Sequence, residues 1–217
     1  MSSIKFTLVS DGSSDRVLIP VLKWLLTMRF PECAVNSDWA DLGRLKNPPK
    51  TLAEKIKMSV VLYPCDLLFV HRDAEKQSSL LRVQEIDRAF ADAQILLNGI
   101  HTEVPPYVKV IPVVMSEAWL LFNESAIRSA AANPNGTVAL NLPPIRDLEN
   151  LPSPKEMLYG ALIEACGLVG RRKRSFRPQH HIHLLADYIE DYSPLMELSA
   201  FLLLKSEIDA LQPDVCR

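Results

Sequence analysis

The sequence predicts an α/β fold: a mainly parallel β-sheet flanked by helices, followed by a helical C-terminal part. Through the first half of the chain, short apolar or β-branched runs alternate with longer stretches whose apolar residues recur at helical spacing. Three of the runs are each followed at once by an acid. After about Asn123 the texture changes to proline- and asparagine-rich loops and helices, with no strand-like alternation.

The first strand is read at residues 4–9. It leads through Ser10-Asp11-Gly12-Ser13-Ser14-Asp15 into a helix at 14–28, with Val17, Leu18, Val21, Leu22, Leu25 and Leu26 on one broad face. Gly12 would allow a tight turn and a close backbone approach. Ser13 or Ser14 would cap the helix, and Asp15 suits its positive N-terminal end. A further strand is read within 34–42. The breaker "NPPK" precedes a helix at 51–62, with Thr51 as N-cap and Glu54 completing a capping box. The strand at 67–70 is followed by a long amphipathic helix at 79–97 that stops at Asn98-Gly99. The strand at 107–114 closes the alternating part. Strands alternating with helices give a largely parallel sheet with right-handed crossovers. "ANPNG" and "NLPPIRDLENLPSPK" read as loop, and helices follow near 154–166, 181–191 and 194–211. The chain thus divides into an α/β domain, residues 1–123, and a helical region, residues 124–217, packed on it.

A chain of 217 residues can fill one core, or one domain with a helical appendage. A hydrophobic content of 48% and a mean hydropathy of +0.06 fit a soluble globular protein. The net charge of -2 exerts no global pull on nucleic acid or membrane, so such a partner must be met by a local patch. The N-terminus lacks the apolar stretch of a signal peptide, and no apolar run approaches the roughly 20 residues of a membrane span. A cytoplasmic protein with no membrane partner is expected. Cys33, Cys65, Cys166 and Cys216 are far apart and form no CxxC pair; four reduced thiols are expected rather than a disulfide framework or a zinc site.

The acids carry the functional reading. Asp11 follows the first strand, Asp73 follows the strand in "LLFVHRDAE", and Glu117 follows the strand in "IPVVMSEAWLL". In an open parallel sheet all strand C-termini face one edge, where ligands bind. Carboxylates gathered there repel unless a cation sits among them, and a hard divalent ion is the natural partner. Any one of these acids reads more plainly as a helix cap; three together read as a site. A receiver-like phospho-acceptor domain also places acids after its first and third strands, but the helical C-terminal half fits it poorly.

The densest positive region is "GRRKRSFRPQHHIH", where Arg171, Arg172, Lys173, Arg174 and Arg177 surround Phe176. Cations that neutralise phosphates beside an aromatic ring suit a nucleic-acid strand; a solvated loop between two helices is the alternative. His180, His181 and His183 read as the polar start of a helix and lack the HxxxH spacing of a zinc site, though a reach to the acidic edge stays open. Trp24 and Trp119 read as core.

"LVSDGSSDRVLIPVL" resembles the first motif of the TOPRIM domain, a strand followed by Glu-Gly-x-x-(Asp/Glu) and a helix, and "LLFVHRDAE" resembles its second, a strand ending in Asp-x-Asp. The whole chain is similar to a group of bacterial TOPRIM-like proteins, some linked to phage defence. In that group a strand is followed by Glu-Ala-Trp-Leu-Leu, here Glu117 to Leu121, and a Pro-Lys pair opens a later helix, here Pro154-Lys155. The resemblance implies a TOPRIM-like, Rossmann-like sheet. It also implies a Mg²⁺- or Mn²⁺-dependent phosphodiester hydrolase acting on nucleic acid, DNA or RNA. By that resemblance Asp11 is the general acid/base, Asp73 is the second Asp of the metal-binding pair, Glu117 is an added acid, and Lys155 faces a phosphate. Asp11 stands where the family has Glu, and His71 stands where the first Asp should be. Imidazole suits Mn²⁺ or Zn²⁺ better than Mg²⁺, and Glu75 offers a shifted Asp73-x-Glu75 pair. The alternative expectation is a catalytically degenerate regulatory subunit partnered with an ATPase or another protein encoded beside it.

Overall fold

The computed structural model describes residues 2–75, 77–98 and 104–216. Four strands form one sheet: β1 (Ser3–Val9), β2 (Ala34–Trp39), β3 (Leu67–His71) and β4 (Tyr107–Val110). Their order is β2-β1-β3-β4, and every pair is parallel. The helices are α1 (Leu18–Arg29), α2 (Leu52–Leu62), α3 (Ser79–Leu97), α4 (Glu124–Ala130), α5 (Pro154–Ala165), α6 (Gly170–Ser175), α7 (Ile182–Asp187) and α8 (Ser199–Asp209). The strand order reverses between β1 and β3, and such a reversal opens a crevice at the strands' carboxyl ends.

The pleat sorts the side chains into two layers. Ile4, Phe6 and Leu8 of β1 and Leu67 and Phe69 of β3 face α1; Val9, Leu68 and Val70 face α2 and α3. β3 is buried at all five positions, which is why it reads as an unbroken apolar run rather than an alternating one. Phe6 and Phe69 meet edge to face at 5.1 Å. Each fully buried Leu or Phe contributes roughly 1.5–3 kcal/mol of transfer free energy, so the two layers hold the strand ends firmly.

The C-terminal helices complete the α1 layer. One continuous core runs from the strands through Trp119, Leu158, Leu162, Leu185, Phe201 and Leu204. Trp119 packs edge-on against Phe201 at 5.3 Å, and Trp24 lies 6.0 Å from Tyr192. The free edge of β4 is met by α8, whose Glu207 accepts the Lys109 backbone N–H at 2.9 Å, which blunts an edge that would otherwise pair with another strand.

Several expectations need correction. β4 ends at Val110 rather than 114; Pro112 has no N–H to continue the ladder, and its carbonyl instead accepts from Ala74 N. The first helix opens with a 3-10 turn, Ser13–Val17, before α1. Its N-cap is Gly12, not a serine, and Gly12 is extended at φ -143°, so the turn does not require glycine's freedom. The Thr51–Glu54 capping box is present in both halves. Gly99, expected to stop α3, lies outside the described residues. The last two helices are shorter than read: α7 stops at Asp187, and Ser193–Glu197 is a separate 3-10 turn before α8. The basic run is not loop throughout: residues 170–175 form α6.

The cysteine expectation also fails. Cys33 and Cys216 form a disulfide, with Cα atoms 6.3 Å apart, while Cys65 and Cys166 are free. Arg29 donates to the carbonyls of Asp209 and Leu211, at 3.2 Å each, and so draws the chain's end to the exit of α1. Spacing along the sequence carries no sign of that return. Among the described residues no helix is long and apolar enough to cross a membrane.

Candidate functional site

The register of β1 on β3 determines which side chains meet. Val9 lies opposite Val70; continuing that offset places Ser10 beside His71 and Asp11 beside Arg72. Pleat parity then divides the strand ends. His71 and Asp73 project into the α1 layer. Asp11 and Arg72 project into the α2–α3 layer. Both sets line one cleft of about 380 Å³ at the C-terminal edge, together with Asp15, Glu75 and Arg82.

The inner set holds Asp15, His71, Asp73 and Glu117. Asp15, His71 and Glu117 are nearly fully buried. His71 Nδ1 lies 3.0 Å from the Val110 carbonyl, which can only accept, so Nδ1 carries its proton. Its Nε2 therefore points into the acids, 3.4 Å from Asp73 Oδ1 and 3.9 Å from Asp15 Oδ1. A bare nitrogen lone pair facing two carboxylate oxygens is repulsive; a proton or a cation belongs between them. Asp73 Oδ1 is buried and has no hydrogen-bond partner. Burial pushes the Asp73 carboxyl up to about 6; His71 works against that rise, Asp15 and Glu117 add to it, and the Ser116 N–H opposes it. Glu117 sits behind, with Ser116 Oγ at 3.5 Å and Lys155 Nζ at 3.6 Å.

Asp15 does more than begin a helix. Its Oδ2 accepts the Gly12 N–H at 3.1 Å and its Oδ1 accepts from Ser14 Oγ at 3.3 Å, which closes the turn and holds the carboxylate toward His71.

The outer set is a string of alternating charges. Asp11 accepts from Lys55 at 2.6 Å and also from Arg72. Arg72 reaches Glu85 at 3.0 Å, Glu85 holds Arg82 at 2.8 Å, and Arg82 reaches Glu75 at 3.4 Å. Burial by itself would raise the Asp11 carboxyl, but Lys55, Arg72 and His71 together hold it below the usual carboxylate range. Glu75 adopts φ 52°, a left-handed conformation that costs a non-glycine residue of order 1–3 kcal/mol and turns its side chain out toward Arg82.

The sequence-expected residues thus separate. Asp73, His71 and Glu117 come together, and Lys155 joins them through Glu117. Asp11 and Glu75 line the cleft but are committed to arginine and lysine. Among the described residues no three His, Cys, Asp or Glu side chains converge closely enough to cage a metal ion unaided. Arg171, Arg172, Lys173, Arg174 and Arg177 lie on or beside α6, at the far end of α5 from Lys155. Lys173 pairs with Glu164 at 2.8 Å, nine residues and about 14 Å of helix from Lys155. None of His180, His181 and His183 lines the acidic cleft: His181 stacks on Phe176 and bonds the Ala130 carbonyl, and burial, aided by the charge of Arg16, lowers the pKa of His183.

Sequence reasoning missed Asp15 as a cluster member, and Lys55, Arg72 and Arg82 altogether. The signal for Arg72 was present: it stands between two site residues just past a strand, where alternate side chains take opposite faces. Comparison of the chain with protein-family models, with curated proteins and with solved structures finds no match in any of the three.

Proposed function

We propose that the chain is a TOPRIM-like, divalent-metal-dependent phosphodiester hydrolase acting on nucleic acid. One observation carries the reading: the buried, unpartnered Asp73 Oδ1 facing a His71 Nε2 whose ring is fixed through Nδ1, at the crevice between β1 and β3. An imidazole whose other nitrogen donates to a backbone carbonyl has the posture of a metal ligand. Asp73 and His71 would hold Mg²⁺ or Mn²⁺, with water and substrate phosphate completing the shell, as suits an ion bound through few protein groups. The ion would polarise a phosphate oxygen and acidify a bound water.

The chain's own groups supply the rest. Asp11 is held ionised by two cations and makes a poor proton acceptor. Asp15 lies nearer the pair and takes the acid/base role instead. Glu117 adds negative charge behind Asp73 and favours a cation in front. Lys155 at the start of α5 and the α6 cations Arg171, Arg172, Lys173 and Arg174 beyond its far end provide separated phosphate contacts. Labelled single- and double-stranded DNA and RNA incubated with Mg²⁺ or Mn²⁺ test the reading. Cleavage that is lost in Asp73→Ala and His71→Ala supports it; a wild-type chain that cuts none of them overturns it.

A second reading, a catalytically silent subunit that acts beside an ATPase, is favoured by the engagement of Asp11 with Lys55 and Arg72. It predicts neither cleavage nor measurable stabilisation by divalent metal.

A further inference from the structure

A second cleft, about 390 Å³, opens beside the first and shares the Asp11–Gly12 wall with it. Its size falls within the range of small-molecule sites, roughly 300–1,000 Å³. Trp39, at the end of β2, lines it, with Pro48 and Pro49 adding apolar surface. The indole is fixed in place: Nε1–H donates to Ser10 Oγ at 3.1 Å, and Arg16 lies 5.5 Å from the ring centroid. Lys55 lines this cleft and Arg72 lines the other, and the two hold one oxygen each of Asp11. A carboxylate held by two cationic side chains occupies the place of a phosphate with two of its oxygens. The Asp11 side chain is half exposed, at 52%, and Arg72 Nε–H is buried with no acceptor. The wall is thus a filled anion site with one donor still unused, next to a fixed aromatic surface.

The geometry points to a nucleotide subsite: a base stacked on Trp39, its phosphate on Lys55 and Arg72 in place of Asp11. The shared chemistry is a nucleoside monophosphate unit, either free or within a strand. This deepens the phosphodiesterase reading and rests on it, because a phosphate seated on that wall borders the His71–Asp73 cleft. It gives Asp11 a role opposite to that of a metal ligand: the carboxylate competes with the substrate and swings away when it binds.

The test is isothermal titration calorimetry of the full chain in EDTA, titrated with AMP, with a short oligodeoxynucleotide and with inorganic phosphate. Saturable binding of AMP or the oligonucleotide is expected; tighter binding of the oligonucleotide than of AMP identifies a strand as the source, and the reverse identifies a free nucleotide. Trp39→Ala should weaken binding roughly tenfold and Trp39→Phe far less, because stacking needs only an aromatic face. Lys55→Met should weaken it, and Asp11→Asn should tighten it. Should Trp39→Ala fail to fold, the opposed effects of Lys55→Met and Asp11→Asn carry the test. Binding unchanged in Trp39→Ala, weakened in Asp11→Asn, or no tighter for AMP and oligonucleotide than for phosphate would overturn the subsite. Metal plays no part in the assay. A chain that cleaves nucleic acid without Trp39-dependent binding loses only the subsite, and one that binds AMP through Trp39 but never cleaves loses only the hydrolase reading.

Discussion

His71 Nε2 lies 3.4 Å from Asp73 Oδ1, an oxygen buried without any other partner. The two side chains are two residues apart at the end of β3 and share a face because strand side chains alternate. That shared face turns toward Asp15 and Glu117, so the pair sits in a strongly negative setting.

The first prediction concerns pH and the metal-free protein. The Asp73 carboxyl is raised from 3.8 to about 6 in the folded chain. The folded state therefore holds the proton more tightly than the unfolded state, and stability falls as pH rises from about 4 through about 6. Asp73→Asn should flatten the profile in that window and exceed wild type above it by about 3 kcal/mol. Urea denaturation in EDTA at pH 4, 5, 6 and 7 measures this; equal slopes for both proteins would contradict it.

Glu117 depends on Lys155 for its countercharge. Lys155→Met should destabilise the fold by about 1–3 kcal/mol, a range set below that of a fully buried pair because the lysine is partly exposed. Pairing it with Glu117→Gln should recover most of the deficit. A double-mutant cycle from chemical denaturation reads the coupling, and strictly additive effects would count against the pair.

The Cys33–Cys216 bridge closes nearly the whole chain into one loop. Reduction, or Cys33→Ser, should cost about 2–4 kcal/mol and expose the segment after α8 to proteases. Urea midpoints with and without dithiothreitol, and limited proteolysis read by mass, check both.

Of the α6 cations Arg171, Arg172 and Arg174 are exposed, while Lys173 is half-buried beside Glu164; the proposed function has them act through charge. Replacing Arg171, Arg172, Lys173 and Arg174 with glutamine should weaken single-strand binding evenly across sequences. The slope of log K against log salt should become shallower by about 0.7 for each phosphate that is no longer neutralised. An unchanged slope would return α6 to the role of a solvated surface helix. Arg177 donates to the Arg174 and Phe176 carbonyls and is left intact in this variant.

Much of the fold was legible in the sequence. β1, β3, the capping box of α2 and the span of α3 follow from apolar periodicity and cap chemistry, and the all-parallel sheet follows from their alternation. The edge that gathers Asp73 and Glu117 follows from parallel strands sharing a direction. Asp11 lines the same cleft as Asp73, but its pairing with Lys55 and Arg72 was not legible, because a strand end is a pleated ribbon and not a point. Asp11 shares parity with Val9, which faces α2, whereas Asp73 shares parity with Phe69, which faces α1. Asp15 was hidden because an acid in a first helical turn is ordinary capping chemistry, and its second contact is with His71, far along the chain. The disulfide was illegible because it depends on how α8 returns over α1, which no local pattern encodes.

The central claim is a divalent cation bound between Asp73 and His71. Mn²⁺ binding followed by electron paramagnetic resonance, on wild type and Asp73→Asn at about pH 7.5, well above the titration of Asp73, tests it most directly. One bound Mn²⁺ in wild type, with imidazole nitrogen coupling in its pulsed spectrum and disappearance of both features in Asp73→Asn, is the predicted result. Free-ion spectra from the wild-type chain, or equal binding by the variant, would contradict it.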